Sequence, residues 1–184
     1  MTSKIVTLTY TSLDIPVASD WEFEEEAEID DNTPAFYSMP PDGQTGLLAG
    51  VISADQIPEG ATIDGIEFYI KKQQRTDYLT TYDTHVTIAN NGGAIGDNKA
   101  DTVNKWPNSY QYFTYGGSTD MWGTTLTAND INSGDIAVGI AGTKIGGSLW
   151  IFMDVDYIRI TVYYTEGVTP PAGENPYGPL IQVI

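Results

Sequence analysis

The chain has 184 residues, a formal net charge of −17 and no cysteine. Its length leaves room for one ordinary domain with a real core, and a hydrophobic fraction of 41% with 19 Gly and 10 Pro favours many strands joined by turns over disorder or long helices. Without Cys there are no disulfides or thiolate metal sites, and so acidic a chain lacks the basic footprint that nucleic acid or an anionic membrane requires.

The charge is unevenly placed. Residues 5–70 carry fourteen acids and no base, which accounts for −14 of the total. Such a field suits solubility, a cation or a basic partner surface. Residues 4–12 alternate, Ile5, Thr7 and Thr9 against Val6, Leu8 and Tyr10, and predict a first strand or β-arm. The opening lacks the apolar run of a signal peptide and no segment is apolar enough to span a bilayer as a helix, so a product made in the cytoplasm is expected.

Residues 20–31 hold eight acids in twelve positions. Trp21, Phe23, Ala27 and Ile29 fall at even spacing within them, which predicts an extended segment laying one apolar edge on a surface. The bland alternative is a solvated acidic loop. Residues 32–46, with Thr-Pro, Met-Pro-Pro and Asp-Gly, read as loop. Residues 47–53 read as a short apolar strand. A turn at Ile57-Pro-Glu-Gly then feeds a strand with Ile66, Phe68 and Ile70 inward. Lys71, Lys72 and Arg75 are expected to flank that strand's end.

A strand over 82–90 places Val86 and Ile88 inward and His85, the single histidine, outward. Asn90-Asn91-Gly92-Gly93 predicts a tight turn. Strands are predicted over 110–115 and 121–126, with Gly116-Gly117-Ser118 turning between them. Thr127-Ala-Asn-Asp-Ile reads as one helical turn capped by Thr127. A strand over 135–142 and a Gly146-Gly147 turn lead into residues 149–164, the clearest strand in the chain. There Ile158, Ile160, Val162 and Tyr164 share one face while Tyr157, Arg159, Thr161 and Tyr163 share the other. The pattern predicts an all-β chain: an antiparallel, jelly-roll-like β-sandwich over 47–166, an N-terminal strand and acidic segment over 1–46, and a Pro/Gly-rich arm over 167–184.

Several motifs in order resemble a β-sandwich module of tailed-bacteriophage virion proteins. They are Ile57-Pro-Glu-Gly-Ala-Thr-Ile-Asp-Gly-Ile, Asp83-Thr-His-Val-Thr-Ile, Trp106-Pro, Gly116-Gly-Ser-Thr-Asp-Met-Trp-Gly, Leu126-Thr-Ala-Asn-Asp-Ile and Val155-Asp-Tyr-Ile-Arg-Ile-Thr-Val-Tyr-Tyr. The resemblance covers roughly two-thirds of the chain. It implies a non-enzymatic virion component, self-associating and bound to a major capsid protein or tail subunits. The role expected first is a capsid cement or decoration protein; a head–tail, tail or fibre accessory protein is the alternative.

Chemistry is sparse. His85 has no Cys or Gly-x-Ser-x-Gly elbow to serve, so nucleophilic catalysis is not expected, and no phosphate-cradling Gly loop opens a helix. Calcium is the one cofactor with candidate ligands: Asp154 and Asp156 beside the last strand, and Asn129, Asp130 and Asp135 in one loop. The plainer role for Asp156 is to accept backbone N–H bonds at a strand end. Trp106, Trp122 and Trp150, with twelve Tyr, are candidates for a sugar-stacking platform; Trp106, before a proline, is the one expected to be exposed, which keeps a carbohydrate-binding module of a fibre or secreted protein as another alternative. Trp122 is expected in the core. Candidate interaction residues are Trp21, Phe23 and Ile29 in the acidic segment, and Tyr177, Leu180, Ile181, Val183 and Ile184 in the apolar-ended arm.

Overall fold

The computed structural model describes residues 1–13, 15, 21–40, 43–76, 80–91 and 93–167. Within them the chain forms β1 (Thr2–Ile5), β2 (Leu8–Leu13), a 3-10 turn (Glu24–Glu28), β3 (Ala35–Met39), β4 (Leu47–Ile52), β5 (Thr62–Gln74), β6 (Thr80–Asn90), β7 (Gly93–Ile95), β8 (Gln111–Gly116), α1 (Ala128–Asn132), β9 (Ala137–Ile145) and β10 (Ile151–Thr165). Two antiparallel sheets pack face to face, giving the β-sandwich that the alternation predicts. The first has the order β1-β10-β5-β8, with β3 also on β10; the second has the order β2-β4-β9-β6-β7.

β10 organises the first sheet because it is long enough for three partners. Its first five residues pair with β3, Thr161–Tyr164 pair with β1, and Met153–Thr165 pair with β5 on the other side. Its even residues Ile158, Ile160 and Val162 meet Ile66, Phe68 and Ile70 of β5 and are buried with them. From the second sheet, Leu48, Ile52, Val86, Ile88, Val138 and Ile140 complete the core. Each such side chain contributes roughly 1.5–3 kcal/mol on burial. The reverse face of the second sheet buries a smaller apolar layer of Leu47, Ala49, Ala89, Ala137 and Ala141.

Five local readings differ from the structure. The N-terminal alternation makes two strands, one in each sheet, because the chain crosses between them at Val6, whose N–H donates to Ile160 O. The loop predicted over 32–46 contains β3, which the flanking prolines hide; Pro34 and Pro40 lie just outside it, where no ladder N–H is needed. No strand forms over 121–126, because Trp122 takes a left-handed φ of 54° that strand pairing does not accommodate. The acidic segment is not extended throughout: Phe23 at φ 58° breaks the alternation and starts the 3-10 turn. Lys71 and Lys72 do not flank a strand end but lie inside β5, one on each face, and both are buried.

Two other local expectations hold. Thr127 caps α1 through a reciprocal capping box with Asp130. Trp122 is fully buried and donates Nε1–H to Ile66 O at 2.8 Å. Gly116 permits this: it has φ 74°, and a Cβ there would lie 2.6 Å from that indole nitrogen and 2.2 Å from Ile66 O.

Candidate functional site

The outward side chains of the first sheet form rows across β10, β5 and β8. Tyr157, Lys71 and Tyr112 share one row, Arg159, Tyr69 and Thr114 the next, and Thr161, Glu67 and Gly116 the third. The result is an open face in which rings and charges interleave. Tyr112 is half exposed and stacks on Tyr69, with centroids 5.4 Å apart and planes 18° from parallel. On the other flank the Arg159 guanidinium sits 4.4 Å from the Tyr69 ring centroid. Tyr157 meets Tyr69 edge-on at 6.4 Å. Glu67 faces Arg159 at 3.7 Å and accepts from the Tyr163 hydroxyl at 3.3 Å. Tyr69 is therefore clamped, and Tyr112 is the ring with a surface left for a ligand.

Above this platform the acidic segment folds back over the sheet. Asp30 Oδ1 lies 2.6 Å from Lys71 Nζ, and its Oδ2 accepts from the Tyr112 hydroxyl at 2.7 Å. Asn32 Oδ1 accepts from Lys71 at 2.9 Å, and Asp156 Oδ2 pairs with Lys71 at 2.7 Å from below. The hydrogen bonds from Lys71 and Tyr112 hold Asp30 below the usual carboxylate range. Burial works against the charge on Lys71, but Asp156 and Asp30 outweigh it and keep the amine firmly protonated. Burial pushes Asp156 up, partly offset by Lys71. The acidic strip thus fixes the orientation of Tyr112 through one carboxylate shared with Lys71.

Farther along the same face, Phe36 lies 5.8 Å from both Phe23 and Phe152. Arg75 covers Phe36 and Phe152 at 5.1 and 4.7 Å and pairs with Asp154 at 2.8 Å. A shallow cavity of about 290 Å³ opens there between Phe23, Glu26, Thr33, Pro34, Phe36 and Arg75.

The residues singled out from sequence separate into several groups. Trp106 is not an exposed stacking residue: it is 1% exposed. Asp83 supplies an interior acceptor for its Nε1–H at 2.6 Å, so the indole is satisfied inside the sandwich. Asp154 and Asp156 each face a cation, Arg75 and Lys71, and Asp156 does not take the backbone-accepting role expected of it. Asp130 caps α1, and Asp135 accepts from Asn91 at 2.8 Å. Asn129 lines a separate cleft beside Glu59 and Thr127. The calcium candidates are therefore scattered, each engaged elsewhere or set apart, and among the described residues no group of three or more His, Asp or Glu is arranged to hold a metal ion.

Of the acidic-segment candidates, Trp21 is buried against Tyr37, with Nε1–H donating to Gly46 O at 3.1 Å, whereas Phe23 and Ile29 are exposed. Tyr177, Leu180, Ile181, Val183 and Ile184 lie outside the described residues. Sequence reasoning missed Tyr69, Tyr112, Lys71 and Asp30. The signal for Tyr69 was present, since Glu67, Tyr69 and Lys71 alternate with the apolar file of β5.

The fold and this face define an antiparallel β-sandwich with an aromatic, ion-paired sheet surface. No family model and no curated protein matches the chain. Among solved structures it is similar to a chain described as "CBM4 structure and function", with 14% sequence identity and a TM-score of 0.40, covering 78% of this chain and 88% of that one.

Proposed function

We propose that the protein is a non-catalytic carbohydrate-binding β-sandwich whose ligand lies along the outer face of the first sheet. The observation that carries this reading is the half-exposed Tyr112 ring, stacked on Tyr69 and held by Asp30 beside Glu67 and Arg159. A sugar ring offers a C–H face that packs on an aromatic plane and rim hydroxyls that need charged or amide partners. This surface supplies both within one sheet. Its openness suits an extended glycan rather than a small molecule enclosed in a pocket.

The test is a glycan array followed by titration of any positive oligosaccharide, read by isothermal titration calorimetry. Tyr112→Ala is expected to abolish the signal without unfolding the chain. Absence of any glycan signal, or unchanged binding by Tyr112→Ala, overturns the reading.

A second reading is a structural part of a phage particle, either a capsid decoration protein or a head–tail, tail or fibre accessory. It is favoured by Ile145, Leu149 and Trp150, which are all exposed around the turn between β9 and β10 and form an apolar edge suited to a protein neighbour. That role predicts copurification with assembled particles and self-association, and mass spectrometry of a purified particle tests it.

A further inference from the structure

β5 and β6 follow one another in sequence but belong to opposite sheets, and their inward residues Lys72 and Asp83 meet in the interior. Both are nearly inaccessible, at 2% and 1%. Lys72 Nζ lies 2.5 Å from Asp83 Oδ1. The rings of Trp106 and Phe113 stand 4.6 Å from the amine, and that of Tyr115 stands 5.5 Å away. Tyr115 bridges the pair: its hydroxyl accepts from Lys72 Nζ at 2.9 Å and donates to Asp83 Oδ2 at 2.7 Å. The Trp106 indole N–H holds Oδ1 at 2.6 Å, and the Asp101 backbone N–H reaches Oδ2 at 3.2 Å.

We propose that Lys72 and Asp83 condense to an isopeptide bond that joins the two sheets covalently. An ion pair this deep carries a desolvation cost that its attraction only partly repays. Transferring one proton from amine to carboxylate removes both charges, and a desolvated neutral lysine is a nucleophile. Burial favours that form, lowering the Lys72 pKa against the opposing pull of Asp83.

The atoms balance without any co-reactant. One Nζ proton passes through the Tyr115 hydroxyl to Oδ2, leaving an amine and a carboxylic acid. Nζ then attacks Cγ, and negative charge develops on Oδ1, where the indole N–H already points. A second Nζ proton follows the same route to Oδ2, the Cγ–Oδ2 bond breaks, and water leaves. The amide keeps the third proton. The three surrounding rings exclude the water needed to reverse the step.

Intact-mass measurement of the denatured full chain tests this. The wild type is expected to be lighter than its sequence by one water. A tryptic digest should contain a branched peptide joining residues 72–75 to 76–99, since Lys72 is then protected from cleavage. Lys72→Met should show its full sequence mass. Tyr115→Phe keeps the ring but removes the relay and should slow bond formation by on the order of 10²-fold. A wild-type chain at full sequence mass, with Lys72 cleaved normally, overturns the proposal and leaves a buried ion pair. Unaltered cross-linking in Tyr115→Phe overturns the role of the relay.

Discussion

Replacing Trp21 with alanine separates two roles for the acidic segment. If Trp21 anchors that segment to its own domain, truncation costs folding stability. If it is a docking residue for another molecule, stability stays the same. Trp21 is 3% exposed, its ring lies 5.9 Å from Tyr37, and its Nε1–H donates to Gly46 O. Truncating a buried Trp costs roughly 3–5 kcal/mol, to which the lost hydrogen bond contributes about 1 kcal/mol. For a chain of this size each kcal/mol moves Tm by roughly 2–4 °C, so a fall of roughly 6–20 °C is expected. Urea denaturation gives the free energy directly. Phe23→Ala serves as the control: Phe23 is 54% exposed and should change stability by less than about 1 kcal/mol. A loss below about 1 kcal/mol in Trp21→Ala would refute the anchoring argument, because a buried indole has no inexpensive truncation.

Further outcomes can be checked on the same footing. Gly116→Ala places a Cβ 2.2 Å from Ile66 O at a left-handed φ; it should break the Trp122–Ile66 bond and destabilise by about 3 kcal/mol or more, measured by denaturation. Thr127→Ala removes the acceptor for the Asp130 N–H and should cost about 1 kcal/mol in the same assay. For pH, Asp30 is lowered by hydrogen bonds from Lys71 and Tyr112, Asp101 by Asn104, and Asp130 by Thr127, all from an ordinary value of 3.8. Depressed carboxylates contribute stability above that value and lose it as pH falls through their folded pKa. Asp156, raised by burial, acts in the opposite sense as pH rises above 3.8. The urea midpoint should therefore drop between about pH 4 and pH 2, and a midpoint that is flat there contradicts the assignment.

The fold was legible where one face is core and the other is not. In β10 and β5 the period of two carries through most of each strand, so inward and outward residues could be named in advance. It failed where a single backbone angle overrides the pattern, as at Phe23 and Trp122, whose side chains suit a strand while their φ values do not. β3 was hidden because its neighbour on β10 is more than a hundred residues away and only that pairing makes it a strand. The site was less legible for a related reason. Lys71 and Lys72 are adjacent in sequence, yet one faces Asp30 and Asp156 outside the sheet and the other faces Asp83 within it. Nothing local tells which carboxylate each will find. Trp106 was misplaced for the same cause: its polar handle found an acceptor in Asp83, so its position before a proline did not bring it to the surface.

The pairing of β1 with β10 has a mechanical consequence. The strands run antiparallel, with Thr2 opposite Tyr164 and Ile5 opposite Thr161, so the two ends of the sandwich leave side by side at one pole. Tension drawn between them loads the β1–β10 hydrogen bonds one after another, as a zipper is opened, rather than all together in shear. β1 should therefore peel away at low force while the core formed by β5 and β10 stays closed. The sandwich would lengthen by one released strand before it yields as a whole.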